Sequence, residues 1–193
     1  MIPLWIKIAY TLFAVVTVAV YIVKYPLANF LWASDIALIM TVPALWLESG
    51  LLASMMILGI LLPELFWNAG YYFRLLTGKR LSGLTDYMFD TRLPRYLRAL
   101  SLFHLFLPVL LLWMISRLGY AREALLYQTF AAWIILPLTY LLSDPKLNIN
   151  GVFGPGSKPQ TRFSPIVYLC LVMAGWPLLV YLPTHALLVA VFG

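Results

Sequence analysis

Charged side chains are scarce in this chain. Lys, Arg, Asp and Glu make up 10% of its 193 residues, where soluble domains carry about 25%. With 63% hydrophobic residues and a mean hydropathy of +0.92, a soluble domain of this length would have no means of hiding its apolar surface. Cysteine is nearly missing too. The single Cys170 excludes an internal disulfide and a cysteine-rich metal cluster, and it reads as a helix core residue. Histidine occurs only at positions 104 and 185, and neither Glu-x-x-His nor His-x-x-x-His is present. A divalent site built from Asp35, Glu64 and His104 would be only partly satisfied, so no metal and no cofactor are expected. The apolar runs are long and continuous rather than alternating segments of about ten residues, which excludes a membrane β-barrel. No internal repeat is visible, so the inverted-repeat plan of many transporters finds no support.

What the chain does have is hydrophobic stretches of membrane-spanning length. Six are readable, at 4–24, 29–48, 50–73, 96–117, 121–142 and 164–191, each near the 20 or so residues a bilayer crossing requires. The expected fold is all-α: a polytopic membrane protein with six transmembrane helices in one compact bundle, a single domain spanning 1–193. The run from Leu4 to Tyr25 is too long for a signal-peptide core and is followed by no small-residue cleavage site, so it reads as a retained first helix. The short turn at Glu48-Ser49-Gly50 makes helices two and three an antiparallel hairpin. Ten basic residues fall in loops one, three and five, against Lys7, Arg117 and Arg122 elsewhere. The asymmetry predicts those three loops in the cytoplasm and both termini outside it. The net charge of +6 is thereby assigned to topology and anionic lipid headgroups, not to nucleic acid. Loop 75–95 mixes apolar, aromatic and acidic residues and is expected to lie at the interface. Loop 143–164, rich in Gly, Pro and Asn, favours turns and has the makings of a cytoplasmic lid. The compact loops point to a cell membrane of bacterial type, with membrane lipids as the immediate partners.

Asp35, Glu64 and His104 lie inside three different stretches, at similar depth on the cytoplasmic side. Ionisable groups are costly in hydrocarbon and usually face a protein interior or a functional site. Glu64, Asn68 and Tyr71 follow i, i+4, i+7, and Ser101 and His104 follow i, i+3, so each set shares one helix side. The combination permits a carboxylate–histidine dyad in which Asp35 or Glu64 orients His104 as general base or acid. Ser34, Ser101 or a water would be the nucleophile. Asn68, Asn148 and Asn150 are candidate oxyanion donors, and Tyr71 completes the candidate substrate-binding set. His185 reads as an interfacial histidine within reach of Glu48. Pro43, Pro63, Pro108, Pro137 and Pro177 place one proline inside each of helices two to six. Each proline frees a carbonyl that needs another partner.

Short motifs run through most of the chain in order: Asn29-Phe-Leu-Trp-Ala-Ser-Asp35, Leu61-Leu-Pro63-Glu64-Leu, Phe103-His104, Asn148-Ile-Asn150-Gly151, and Gly175-Trp176-Pro177 with Tyr181. On these the chain resembles small six-helix integral membrane proteins of the transmembrane acyltransferase type, with the androgen-induced fatty-ester hydrolases as distant relatives. The resemblance implies lipid acyl transfer or hydrolysis, with His104 in the base role and Ser34 nearest the nucleophile position. No cysteine stands there, so cysteine-dependent transfer is not implied. Three functions follow as expectations: an intramembrane enzyme acting on a lipid or acyl ester, a structural or assembly protein with a buried polar cluster, and a small-molecule or proton-coupled carrier using Asp35 and Glu64.

Overall fold

The computed structural model describes residues 1–156 and 158–193, and its regular structure there is entirely helical. The helices are α1 (Leu4–Lys24), α2 (Ala33–Trp46), α3 (Gly50–Thr77), α4 (Arg95–Leu100), α5 (Phe103–Leu118), α6 (Ala124–Leu142), α7 (Pro165–Gly175) and α8 (Leu182–Phe192). A π turn, Trp176–Tyr181, joins α7 to α8, so that 165–192 runs on as one helix of 28 residues. Among the described residues, five helical runs are long and apolar enough to cross a membrane, α1, α3, α4 with α5 (Arg95–Leu118), α6 and α7 with α8, compatible with an integral membrane protein. The second predicted span is the exception. Its α-helix has 14 residues, about 21 Å at 1.5 Å per residue, against a hydrocarbon core of about 30 Å.

Helix α1 shows how the bundle is made. Its buried residues, Tyr10, Ala14, Thr17 and Tyr21, recur at i, i+4, i+7, i+11 and form one inward stripe. Leu12, Val15, Val16, Ile22 and Val23 point outward and are exposed. An apolar stripe facing in and an apolar surface facing out is the pattern of a helix whose surroundings are hydrocarbon on one side and protein on the other. Helix α3 holds the centre, packed against α2, α5 and α6. Its hairpin with α2 closes through Ser49, whose hydroxyl accepts from the Leu52 amide and caps α3. Gly50 permits a close approach: a Cβ there would lie 3.0 Å from the Gly119 carbonyl oxygen.

Hydrogen bonds assign the loops to two ends. At one end the Ile2 amide donates to Glu48 Oε1 (3.1 Å), Lys7 Nζ pairs with the same oxygen (2.7 Å), and the Tyr120 hydroxyl meets His185 Nδ1 (2.8 Å). At the other, Asn150 ties loop 143–164 to Leu31 and Ala33.

Several boundaries differ from the sequence expectation. The span expected over 29–48 opens as a 3-10 turn, Leu27–Leu31, and Trp32 is extended before α2 begins. The side chains of Asn29 and Asn150 bond the chain there, replacing helical hydrogen bonds. The span expected over 96–117 is interrupted at Ser101 and Leu102, between α4 and α5. Loop 75–95 carries one 3-10 turn, Asp86–Phe89, rather than a regular interfacial helix. Cys170 is exposed on the outside of α7 and is not a core residue. His185 pairs with Tyr120, not with Glu48, whose carboxylate is taken by Lys7 and the N-terminal backbone.

Candidate functional site

Glu64 sits near the middle of α3 and His104 at the second position of α5. The two helices are neighbours, and the side chains meet. His104 Nδ1 lies 2.9 Å from both Glu64 oxygens, with the Glu64 side chain 3% and the His104 side chain 13% exposed. Against an ionised Glu64, Nδ1 is the donor of this contact, and Nε2 is the ring nitrogen turned away from the carboxylate. Among the described residues no side chain hydrogen-bonds Nε2. The ring is stacked on Trp67 (centroids 4.6 Å) and on Phe103 (4.2 Å), which fix its plane.

Prolines explain why the neighbouring backbone tolerates this site. Pro108 has no N–H, so the His104 carbonyl loses its helical donor. Asn68 replaces it: its Nδ2 donates to the His104 carbonyl (2.9 Å) and to the Glu64 carbonyl (2.8 Å). One amide on the Glu64 face therefore clamps both residues of the pair through their backbones. Tyr71, one turn farther along α3, stacks on Trp67 at 5.3 Å and extends the aromatic wall.

The remaining candidates lie elsewhere. Asp35 is 4% exposed and accepts from Asn29 Nδ2 at 2.8 Å, in the first turn of α2 where the helix N-terminus favours a negative charge. Ser34, its neighbour, is partly exposed and is not bonded to His104. Ser101 Oγ is 3.0 Å from the Tyr21 hydroxyl and donates to the Leu97 carbonyl, one turn before His104 rather than against its ring. Asn150 spends both ends of its amide on Ala33 N (3.0 Å) and the Leu31 carbonyl (2.7 Å). Asn148 likewise binds the Gly154 and Gly156 carbonyls and the Phe153 amide. These two asparagines organise the loop, and their amides face backbone, not His104.

No family model, no curated protein and no solved structure matches the chain. Its chemistry is legible only from its own residues.

Those residues include several the sequence reading passed over. Trp67 stands at i+3 from Glu64 and i−4 from Tyr71, so the same helical spacing that singled out Asn68 would have found it. Its Nε1 is buried without an acceptor. Tyr87, on the 3-10 turn of loop 75–95, places its hydroxyl beside Trp67 and Ser101, and burial pushes its phenol above the ordinary value, leaving it a protonated donor. Nothing in the spacing links Tyr21, Tyr87 and Ser101, which come together only where α1, loop 75–95 and the junction of α4 and α5 meet. Among the described residues, no three His, Cys, Asp or Glu side chains converge as a metal site would require.

Proposed function

We propose that this chain is an intramembrane hydrolase of lipid acyl esters, with His104 as general base and Glu64 as its orienting and charge-balancing partner. One observation carries the reading: a buried carboxylate holds His104 Nδ1 at 2.9 Å while Nε2 has no side-chain partner among the described residues. That is the arrangement a general base needs, with the tautomer set from behind and the lone pair presented in front. The choice of an acyl ester follows the likeness to six-helix transmembrane acyltransferases and fatty-ester hydrolases and the lipid surroundings of the helices. Water is the nucleophile, since Ser101 is engaged by Tyr21 and the Leu97 carbonyl. Nε2 takes a proton from water as its oxygen adds to the ester carbonyl, and Glu64 balances the imidazolium charge. Collapse of the tetrahedral intermediate expels the alkoxide, which recovers the proton from Nε2, leaving a fatty acid and an alcohol. Trp67, whose ring stacks on His104, and Tyr87 beside it carry the Nε1 and hydroxyl donors assigned here to the intermediate's oxyanion.

The dyad end of the bundle is also the end that carries most of the Lys and Arg residues, which supports loops 25–32, 75–94 and 143–164 facing the cytoplasm of a bacterial inner membrane. The test is hydrolysis of diacylglycerol and of fluorogenic acyl esters by the protein in lipid nanodiscs. His104→Ala is expected to lower the rate by about 10²–10⁴-fold, the usual contribution of a positioned base, with the helical fold retained. Wild-type turnover in His104→Ala would overturn the proposal. Absence of any turnover, with pH-dependent uptake into liposomes that His104→Ala abolishes, would replace it with the carrier. Absence of both, with a collapsed melting temperature in the variant, would leave the pair as helix-fixing structure.

A further inference from the structure

A second feature lies away from the dyad. A cavity of about 230 Å³ opens between α2, α3, α6 and the π turn, lined by Ala37, Met40, Met55, Ile60, Ala132 and Leu136, among others. Four polar side chains reach its wall: Gln128, Asn150, Trp176 and Tyr181. Three are already occupied, Tyr181 by the Gln128 amide itself. Asn150 holds Leu31 and Ala33, and Trp176 Nε1 donates to the Asn150 carbonyl at 3.3 Å. Gln128 is different. It is 8% exposed, yet its Oε1 is buried with no hydrogen-bond partner. A buried amide oxygen without a donor is costly and asks for one.

The backbone beneath it is unusual as well. Gly59 lines the same cavity, and a Cβ there would lie 2.6 Å from Gln128 Nε2, so glycine lets the amide rest against α3 in this position. Pro63 offers no N–H to the Gly59 carbonyl, which removes that carbonyl's helical donor. One unpaired side-chain acceptor thus borders a space walled mainly by methyl, methylene and thioether groups, with Asn150, Trp176 and Tyr181 at its polar edge.

From this we infer that the cavity is a binding site for an alkyl chain bearing a neutral hydroxyl, the hydroxyl donating to Gln128 Oε1. The apolar wall takes the chain, and the unpaired acceptor selects a donor over a carboxylate, which has no proton to give. The volume is about eight times that of one liquid water, which suits a medium-chain alcohol or the corresponding end of a hydroxylated lipid. The inference stands independently of the dyad, because none of its residues touches His104.

The experiment is photolabelling of the full chain in nanodiscs with a diazirine-bearing octanol, mapped by mass spectrometry. Label is expected on the cavity wall, at Met40, Met55 and neighbouring residues of α6. It should be competed by octanol, and not by octane or octanoate. Competition by added diacylglycerol as well would identify a lipid hydroxyl as the source, while competition by octanol alone would identify a free alcohol. Gln128→Leu should weaken octanol competition about fivefold, the effect of losing one neutral hydrogen bond. Ala132→Phe should block labelling by filling the space. His104→Ala should leave labelling unchanged, which separates this site from the hydrolytic reading. Label spread evenly over lipid-facing residues, or equal competition by octane, would overturn the inference without recourse to any variant.

Discussion

The Glu64–His104 pair illustrates how much one buried carboxylate depends on its partner. Truncating His104 leaves Glu64 desolvated and alone, and losing one member of a buried pair costs about 3–5 kcal/mol. His104→Ala should therefore lower stability as well as turnover. The double variant His104→Ala/Glu64→Leu should recover most of that stability and none of the activity, as measured by melting in nanodiscs beside ester hydrolysis. A purely structural pair would give the same melting pattern with no turnover to lose in the wild type. Trp67 permits a sharper test. Trp67→Phe keeps the stacking surface of the ring but removes the Nε1 donor, so the expected outcome is a lower kcat with KM little changed.

Prolines are paired with side-chain donors at the level of helices. Pro108 frees the His104 carbonyl and Asn68 bonds it; Pro177 frees the Met173 carbonyl and the Trp133 indole bonds it at 3.0 Å. A double-mutant cycle should show the coupling. Asn68→Ala alone should cost about 1–3 kcal/mol by leaving a buried acceptor unpaired. In the Pro108→Ala background, where residue 108 again supplies an N–H, the cost should shrink. Asn150→Ala should release loop 143–164 from α2, seen as faster amide exchange at Ala33 and throughout the loop. At the opposite end, Lys7 and the Ile2 amide hold the Glu48 carboxyl below the usual carboxylate range, the lysine hydrogen bond first among the causes. A carboxyl lowered in the folded state contributes stability above its unfolded pKa and loses it as pH falls through the folded value. Acidification below about pH 4.5 should therefore loosen the first turn of α1, read as amide exchange near Ile6, with the centre of α3 unaffected.

Across the whole molecule, the hydrogen bonds between loops place both termini at the Glu48 end and the basic residues mainly at the other. If the positive-inside rule sets the orientation, a membrane-impermeant maleimide applied to intact cells should label Arg122→Cys and spare Lys79→Cys, in a Cys170→Ala background. The reverse pattern would invert the topology while leaving the site intact. Cys170 itself lies exposed on α7, so a membrane-soluble maleimide should modify it in the native protein.

Composition and helical spacing alone point to an all-helical chain with apolar runs of spanning length, and to the polar face of its central helix. Apolar runs of spanning length leave little choice but helices in a bilayer, because every backbone group there must be bonded within its own segment. The spacing of Glu64, Asn68 and Tyr71 followed from the helical repeat alone. Tertiary structure decided which carboxylate met the histidine. Asp35 and Glu64 are equally plausible partners by depth, and only the packing of α3 on α5 gave His104 to Glu64 and left Asp35 with Asn29. The breaks at Trp32 and Ser101, and the asparagines that became loop fasteners, belong to the same category. At Trp32 the reason is Asn150, whose amide bonds Leu31 and Ala33 from a position distant in sequence, a contact that no periodic pattern predicts.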